Sequence, residues 1–147
     1  MKTILVSGCC GFIGQNLVIA LSKDYNIIGI DNFASSNRSN LKKLEEFENF
    51  KFIEANIIDN PTIIDKIDYI FNLACPASPP KYQSNPIFTL ETNFTGTHNL
   101  LKIAKRDGAI FIQASTSEVY GDPEMHPQLE TYYGNVNTMG ERSCYDE

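Results

Sequence analysis

The chain has 147 residues, 42% hydrophobic and 20% charged, the size and make-up of about one ordinary globular domain. Twelve basic residues against eighteen acidic ones give a net charge of −6, and no Lys/Arg cluster suited to nucleic acid stands out; the densest stretch, "KIAKR" (102–106), reads as the solvated last turn of a helix. No apolar run approaches the roughly 20 residues of a membrane span, and the one in "MKTILVSG" is too short for a signal peptide, so neither a membrane nor a nucleic-acid partner is expected and the expected compartment is the cytosol.

Taken in chain order, "KTILVS" (2–7) is a β-branched apolar run and reads as a buried strand. Gly8 to Gly14 form a loop leading into a helix over "FIGQNLVIALSKD", with Ile13, Leu17, Ala20 and Leu21 at helical spacing. "YNIIGID" (25–31) is a second strand ending in an acid, "NFASSNRSN" a polar loop, and "LKKLEEFEN" a short helix showing Leu41, Leu44 and Phe47 on one face. "FKFIEAN" (50–56) and "DYIFNLAC" (68–75) read as the third and fourth strands. Four prolines exclude regular structure from "PASPPKYQSNP". A long helix follows, with Ile87, Leu90, Phe94, Leu101 and Ala104 as its apolar stripe and Gly108 as its terminator. "AIFIQAS" (109–115) is a fifth strand, and the rest is loop-rich.

Strands alternating with helices predict an α/β fold with a doubly wound parallel sheet, read as a single domain over 1–147. The strands are continuous apolar runs because both faces of such a sheet are covered. Ligands bind such sheets beyond the carboxyl ends of the strands, where Gly8–Gly14, Asp31, "ACPASPP" and "STSEVYGD" all fall. Cys9 and Cys10 are adjacent, Cys75 and Cys144 isolated, and His98 and His126 have no ligand-spaced partner. That spacing predicts reduced, small apolar thiols and no metal site.

The stretch "SGCCGFIGQN" (7–16) places Gly8, Gly11 and Gly14 between a strand and a helix. A helix N-terminus carries unpaired amides and positive dipole, so a pyrophosphate can lie there without a lysine. Asp31 ends the second strand, 17 residues past Gly14, where a carboxylate accepts from an adenosine ribose and repels a 2′-phosphate. The expected cofactor is therefore NAD.

The spacing G-x-x-G-x-x-G resembles the fingerprint of the extended short-chain dehydrogenase/reductase superfamily. Further stretches, "NLACPASPPKY", "TNFTGT", "ASTSEVYGDP", "YYGNVN" and "GERSCYDE", resemble one branch of it, the UDP-glucuronate decarboxylases within the NAD-dependent epimerase/dehydratases. The resemblance implies a Rossmann NAD-binding domain and a UDP-sugar substrate. It implies oxidation at carbon 4 of UDP-glucuronate, loss of CO₂ from the β-keto acid, and reduction to UDP-xylose. It also implies roles by position. Cofactor contacts fall on Gly8, Gly11, Phe12, Ile13, Gly14, Asp31, Asn32, Phe33, Asn56, Ile57, Leu73 and Ala74. Thr116, Glu118 and Tyr145 are the catalytic candidates, and Pro79, Tyr82, Glu91 and Ser115 the substrate contacts.

In that pattern Tyr145 takes the proton of the 4-hydroxyl. A free tyrosine has a pKa of about 10, and the superfamily lowers it with the lysine of Y-x-x-x-K. Ser117 stands where 4,6-dehydratases carry aspartate, Asn56 where the decarboxylases carry aspartate, and Glu91 where they tend to carry lysine. The sequence stops before the lysine position. It therefore reads as an N-terminal portion without the sugar-nucleotide domain, with Tyr145 at the start of a helix that does not form. Two alternative readings stand beside it: an NAD-binding module without catalysis, and, as the superfamily resemblance implies, a relative of the UDP/dTDP-sugar 4-epimerases or 4,6-dehydratases. A family-like homodimer is also expected.

Overall fold

The computed structural model describes residues 1–146. These divide into two compact units, one formed by 1–75 with 91–114, the other by 76–90 with the described residues from 115 onward.

The first unit holds the sheet. Strand β1 (Thr3–Ser7) is followed by helix α1 (Phe12–Leu21), β2 (Asn26–Asp31), α2 (Arg38–Leu44) and β3 (Phe50–Glu54). After a 3₁₀ turn at Ile57–Asp59 comes β4 (Tyr69–Asn72). The strands pair in parallel in the order β3-β2-β1-β4, and β5 (Ile110–Gln113) closes the row beside β4. The expected doubly wound parallel sheet is what forms.

Period-2 alternation divides the core. On one face Leu5, Ile28, Ile30 and Ile70 pack with Leu100, Ile103 and Ala104. On the other, Ile4, Val6 and Ile27 pack with Cys9, Cys10, Val18 and Leu44. Because these strands are covered on both sides, they carry no polar alternation.

The boundaries show where local chemistry overrides pattern. Helix α2 begins at Arg38, inside the stretch read as loop, because the Asn37 side chain accepts from the Ser39 amide and starts the helix early. In α1 the buried positions are Gly14 and Val18, whereas Ile13 and Ala20 of the predicted face are exposed. The long helix is built as α4 (Pro86–Glu91), a π-helical stretch Thr92–Gly96, and α5 (Thr97–Asp107), which ends at Gly108 with φ 69°. Its predicted stripe is a correction: Ile87, Leu90, Phe94 and Leu101 are exposed, and only Ala104 is buried. The buried positions include Thr92, Gly96, Asn99, Leu100 and Ile103. Asn99 donates its amide to the carbonyls of Ile57 and Ile58, so hydrogen bonding selects the inward face. A Cβ on Gly96 would lie 2.5 Å from the Ile57 side chain, so glycine permits that approach.

The second unit is mostly loop, with short helical pieces that include all but the last residue of α4. Helix α3 (Pro79–Tyr82) lies inside the segment read as irregular. Its prolines occupy the first turn, where a missing amide costs nothing. A 3₁₀ turn spans Ser117–Tyr120, and α6 (Ser143–Asp146) places Tyr145 on one helical turn that does form.

Candidate functional site

The glycine loop hangs from the end of β2. The amides of Gly8 and Cys9 both donate to the Ile30 carbonyl, at 2.8 and 3.3 Å, and Gly11 donates back to Gly8. The three glycines have different tasks. Gly8 adopts φ +69°, and a Cβ there would meet the Leu73 carbonyl at 2.9 Å and the Ala74 Cα at 3.1 Å. A Cβ on Gly14 would fall 2.1 Å from the Gly8 oxygen, so this glycine lets α1 sit against the loop. Gly11 is different: its Cβ would meet only the Gly8 oxygen, at 3.2 Å, and its other side is open.

Gly11 is also the N-cap of α1 and brings no side chain to the helix amides. The first amides of a helix lack intrahelical acceptors. Beside them Phe12 and Ile13 are 82% and 66% exposed, unusual for large apolar groups at the head of a helix on a sheet. A backbone cradle that a Cβ would fill, with the positive end of a helix dipole behind it, fits a dinucleotide pyrophosphate.

Asp31 is buried and already engaged. Its Oδ2 accepts from the Cys10 amide at 2.9 Å; its Oδ1 accepts from the Phe33 amide and the Ser36 hydroxyl, each at 2.8 Å. A carboxylate has about four lone-pair sites, so Asp31 ties β2 to the glycine loop and keeps capacity for a further donor. Phe33 has φ 58° and packs between the Phe52 ring and the Arg38 guanidinium. Asn32 is exposed and closes a turn onto the Ala34 amide. The Asn56 side-chain oxygen caps the 3₁₀ turn by accepting from the Ile58 amide, which commits that oxygen locally, and Ile57 is in the core.

The sheet brings Gly8, Leu73, Ala74 and Asp31 to the carboxyl ends of three neighbouring strands. A buried polar network holds that edge, and sequence reasoning missed it. The Ser7 hydroxyl donates to the Asn72 side-chain oxygen at 2.6 Å, and the Asn72 amide donates to Thr97 and Gln113 at 3.0 and 2.8 Å. The signal was available: Ser7, Asn72 and Gln113 are polar residues ending otherwise apolar strands. Cys9 and Cys10 lie beneath the loop, their sulfurs 3.8 Å apart. The hydrogen bond with Cys10, together with burial, pushes the Cys9 thiol far above its usual pKa. Glu91, also in this unit, is exposed on α4.

The other sequence candidates fall in the second unit. The Thr116 hydroxyl caps the 3₁₀ turn by accepting from the Glu118 amide at 3.3 Å. Glu118 pairs with Arg142 at 2.9 Å, and Arg142 reaches Asp122 at 3.6 Å. Tyr145 stacks flat on Tyr82, ring centroids 4.8 Å apart. Tyr82 is buried, and burial raises its phenol above the usual value despite nearby Arg142. Arg142, Asp122, Gln83 and Asp146 line a cavity of about 310 Å³. Pro79 and Ser115 are exposed within the same unit. Arg142 was not among the sequence candidates, and its pairing with Glu118 joins α6 to the Thr116 turn.

The sequence profile of the GDP-mannose 4,6-dehydratase family matches residues 5–147. The chain belongs to this family. Among its relatives, UDP-glucuronic acid decarboxylases 1 and 4 of Arabidopsis thaliana are 50% and 48% identical over 145 residues. Decarboxylase 1 of Xenopus tropicalis is 48% identical over 147. These alignments cover 98–99% of the chain but 32–34% of each relative, so the chain spans about a third of their length. Among solved structures, a Thermotoga maritima UDP-glucose 4-epimerase with UDP-glucose matches 99% of the chain and 47% of its own (TM-score 0.83, 30% identity). A Bacillus cereus UDP-glucuronic acid 4-epimerase, crystallised with NAD and a fluorinated UDP-glucuronic acid, matches 91% and 46% (TM-score 0.79, 30% identity). Both epimerase structures share this chain's fold. No helix among the described residues of this chain is long and apolar enough to cross a membrane.

Proposed function

We propose that this chain is the dinucleotide-binding part of a UDP-glucuronate decarboxylase that uses NAD⁺. The observation that carries the reading is the glycine loop, open only at Gly11 and tied by Asp31 to the end of β2. The loop amides and the N-terminus of α1 receive the pyrophosphate. Asp31 accepts from the adenosine ribose with its remaining lone-pair capacity and disfavours a 2′-phosphate. Leu73 and Ala74 wall the loop at Gly8, while Phe12, Ile13, Asn32 and Phe33 border the same strand ends.

Held by the glycine loop and Asp31, NAD⁺ would supply reversible hydride-transfer chemistry at carbon 4 of the sugar. The residues supply proton handling. Tyr145 takes the proton of the 4-hydroxyl, Thr116 hydrogen-bonds that hydroxyl, and Glu118, held by Arg142, assists proton movement. Pro79, Tyr82, Glu91 and Ser115 are assigned to the UDP-sugar. Identity of 47–50% to decarboxylases against 22–30% to the solved epimerases supports decarboxylation over epimerisation, as does Ser117 in place of a dehydratase aspartate.

The test is a chimera of residues 1–147 with the remaining portion of an Arabidopsis decarboxylase, given NAD⁺ and carboxyl-labelled UDP-glucuronate. Labelled CO₂ and UDP-xylose are expected. A folded chimera that retains the carboxyl group and inverts carbon 4 instead would overturn decarboxylation.

A further inference from the structure

Spacing rules overlook the two adjacent cysteines because their third neighbour is 21 positions away. The fold closes that gap. Cys9, Cys10 and Asp31 are all buried, and one ligand atom from each lies within 4.8 Å of the other two. The two sulfurs are 3.8 Å apart. Two thiolates on a tetrahedral zinc at about 2.3 Å each stand about 3.8 Å apart, so the pair already has the bite of such an ion.

The backbone sets this spacing. The Cys9 amide is fixed on the Ile30 carbonyl, the Cys10 amide on Asp31, and the Cys10 carbonyl accepts from the Asn40 side chain at 2.9 Å. Room for the Cys9 sulfur comes from the facing strand, since a Cβ on Gly29 would lie 2.7 Å from that sulfur. Glycine inside a strand costs stability, and here it makes the space.

We infer that Cys9, Cys10 and Asp31 form a site for a thiophilic divalent cation of the zinc class. Binding replaces both thiol protons, which pass to solvent, and forms two metal–sulfur bonds and one metal–oxygen bond. The carboxylate edge closes by up to about an ångström to reach ordinary bond lengths. The fourth position is left to a water or the second carboxylate oxygen. Two thiolates, a carboxylate and the ion sum to one negative charge, which the N-terminus of α1 just beyond Cys10 favours. Such an ion also takes up an oxygen of Asp31, so NAD⁺ affinity falls when the site is loaded; that consequence rests on the dinucleotide reading, whereas the site does not.

The probe is Cd²⁺, whose thiolate bonds absorb in the ultraviolet, added to the reduced chain carrying Cys75→Ala and Cys144→Ala. Cys9 and Cys10 are then the only thiols. The expected result is a charge-transfer band saturating at one ion per chain, with Zn²⁺ competing. Cys10→Ser in that background should weaken Cd²⁺ by at least the ~10–100-fold that loss of an outer partner costs, and Asp31→Asn should weaken it while keeping the band. A folded background protein with no band overturns the proposal whatever the serine variants do. So does saturation at two chains per ion, or affinity unchanged by Asp31→Asn.

Discussion

Gly11 and Gly14 are separated by two residues, yet the loop geometry predicts that substituting them has opposite consequences. In Gly14→Ala the new Cβ falls 2.1 Å from the Gly8 oxygen and 2.8 Å from the Cys9 Cα, all backbone. Neither neighbour can swing away, so the helix must move off the loop. Overpacking of this kind costs about 1–3 kcal/mol, and a contact this short belongs at the upper end. Replacing a helical glycine by alanine returns up to ~1 kcal/mol of propensity, leaving about 2 kcal/mol of destabilisation. For a chain this size that is a fall of roughly 4–8 °C in Tm.

Gly11→Ala meets one atom at 3.2 Å, with φ −69° and ψ 170°, which any residue adopts. Its stability cost is that of a poorer N-cap, under ~1 kcal/mol. The methyl group, and still more the branched side chain of Gly11→Val, projects where the pyrophosphate must approach. NAD⁺ affinity should fall at least roughly tenfold, which is about 1.4 kcal/mol. Urea denaturation and calorimetric titration of the same preparations read the two effects separately. Gly14→Ala should lose stability first; Gly11→Val should stay folded and lose binding. A Gly11→Val chain that binds NAD⁺ like the parent, or a Gly14→Ala chain as stable as the parent, would refute the division of labour.

Asp31→Ala should cost about 1–3 kcal/mol in urea denaturation, because the Cys10 amide loses its buried acceptor; Asp31→Asn, which keeps an acceptor, should cost less, and equal losses would count against the tether. Asn72→Ala removes the buried acceptor of the Ser7 hydroxyl and the donor to Thr97 and should destabilise by a similar amount, read as a shift in urea midpoint. Arg106 beside Asp107, with the Ile67 amide, holds that carboxyl below its ordinary 3.8. A depressed carboxyl stabilises the fold above its unfolded pKa, and that contribution disappears as pH falls through the lower folded value. Asp107→Asn should therefore lower stability at neutral pH and flatten its decline below about pH 4, measured as urea midpoint against pH. In the chimera with a decarboxylase C-terminal portion, Tyr145→Phe should cut CO₂ release by about 10²–10⁴-fold; full activity would remove Tyr145 from the chemistry.

The sheet was legible because its strands are apolar on both faces, so Leu5, Ile28 and Ile70 could be placed without structural information. The glycine loop was legible because a strand, three glycines and a helix leave few geometries. Polar side chains, the exposed Asn37 and the buried Asn99, decided what pattern could not. Asn37 moved the start of α2, and Asn99 turned the long helix so that Phe94 and Leu101 face outward rather than inward. Hydropathy periodicity scores both asparagines as surface residues. Asp31 carried a double meaning: its position pointed to a ribose, while its three donors are local contacts within the fold. The ion pair of Glu118 with Arg142 spans loop that has no periodicity to read.

The most direct measurement is calorimetric titration of the unmodified chain with NAD⁺ and, separately, NADP⁺. One site per chain is expected, with NAD⁺ at least roughly tenfold tighter, since a 2′-phosphate would stand against the buried Asp31 carboxylate. Binding of neither dinucleotide, or preference for NADP⁺, would contradict the reading of the glycine loop and of Asp31 together.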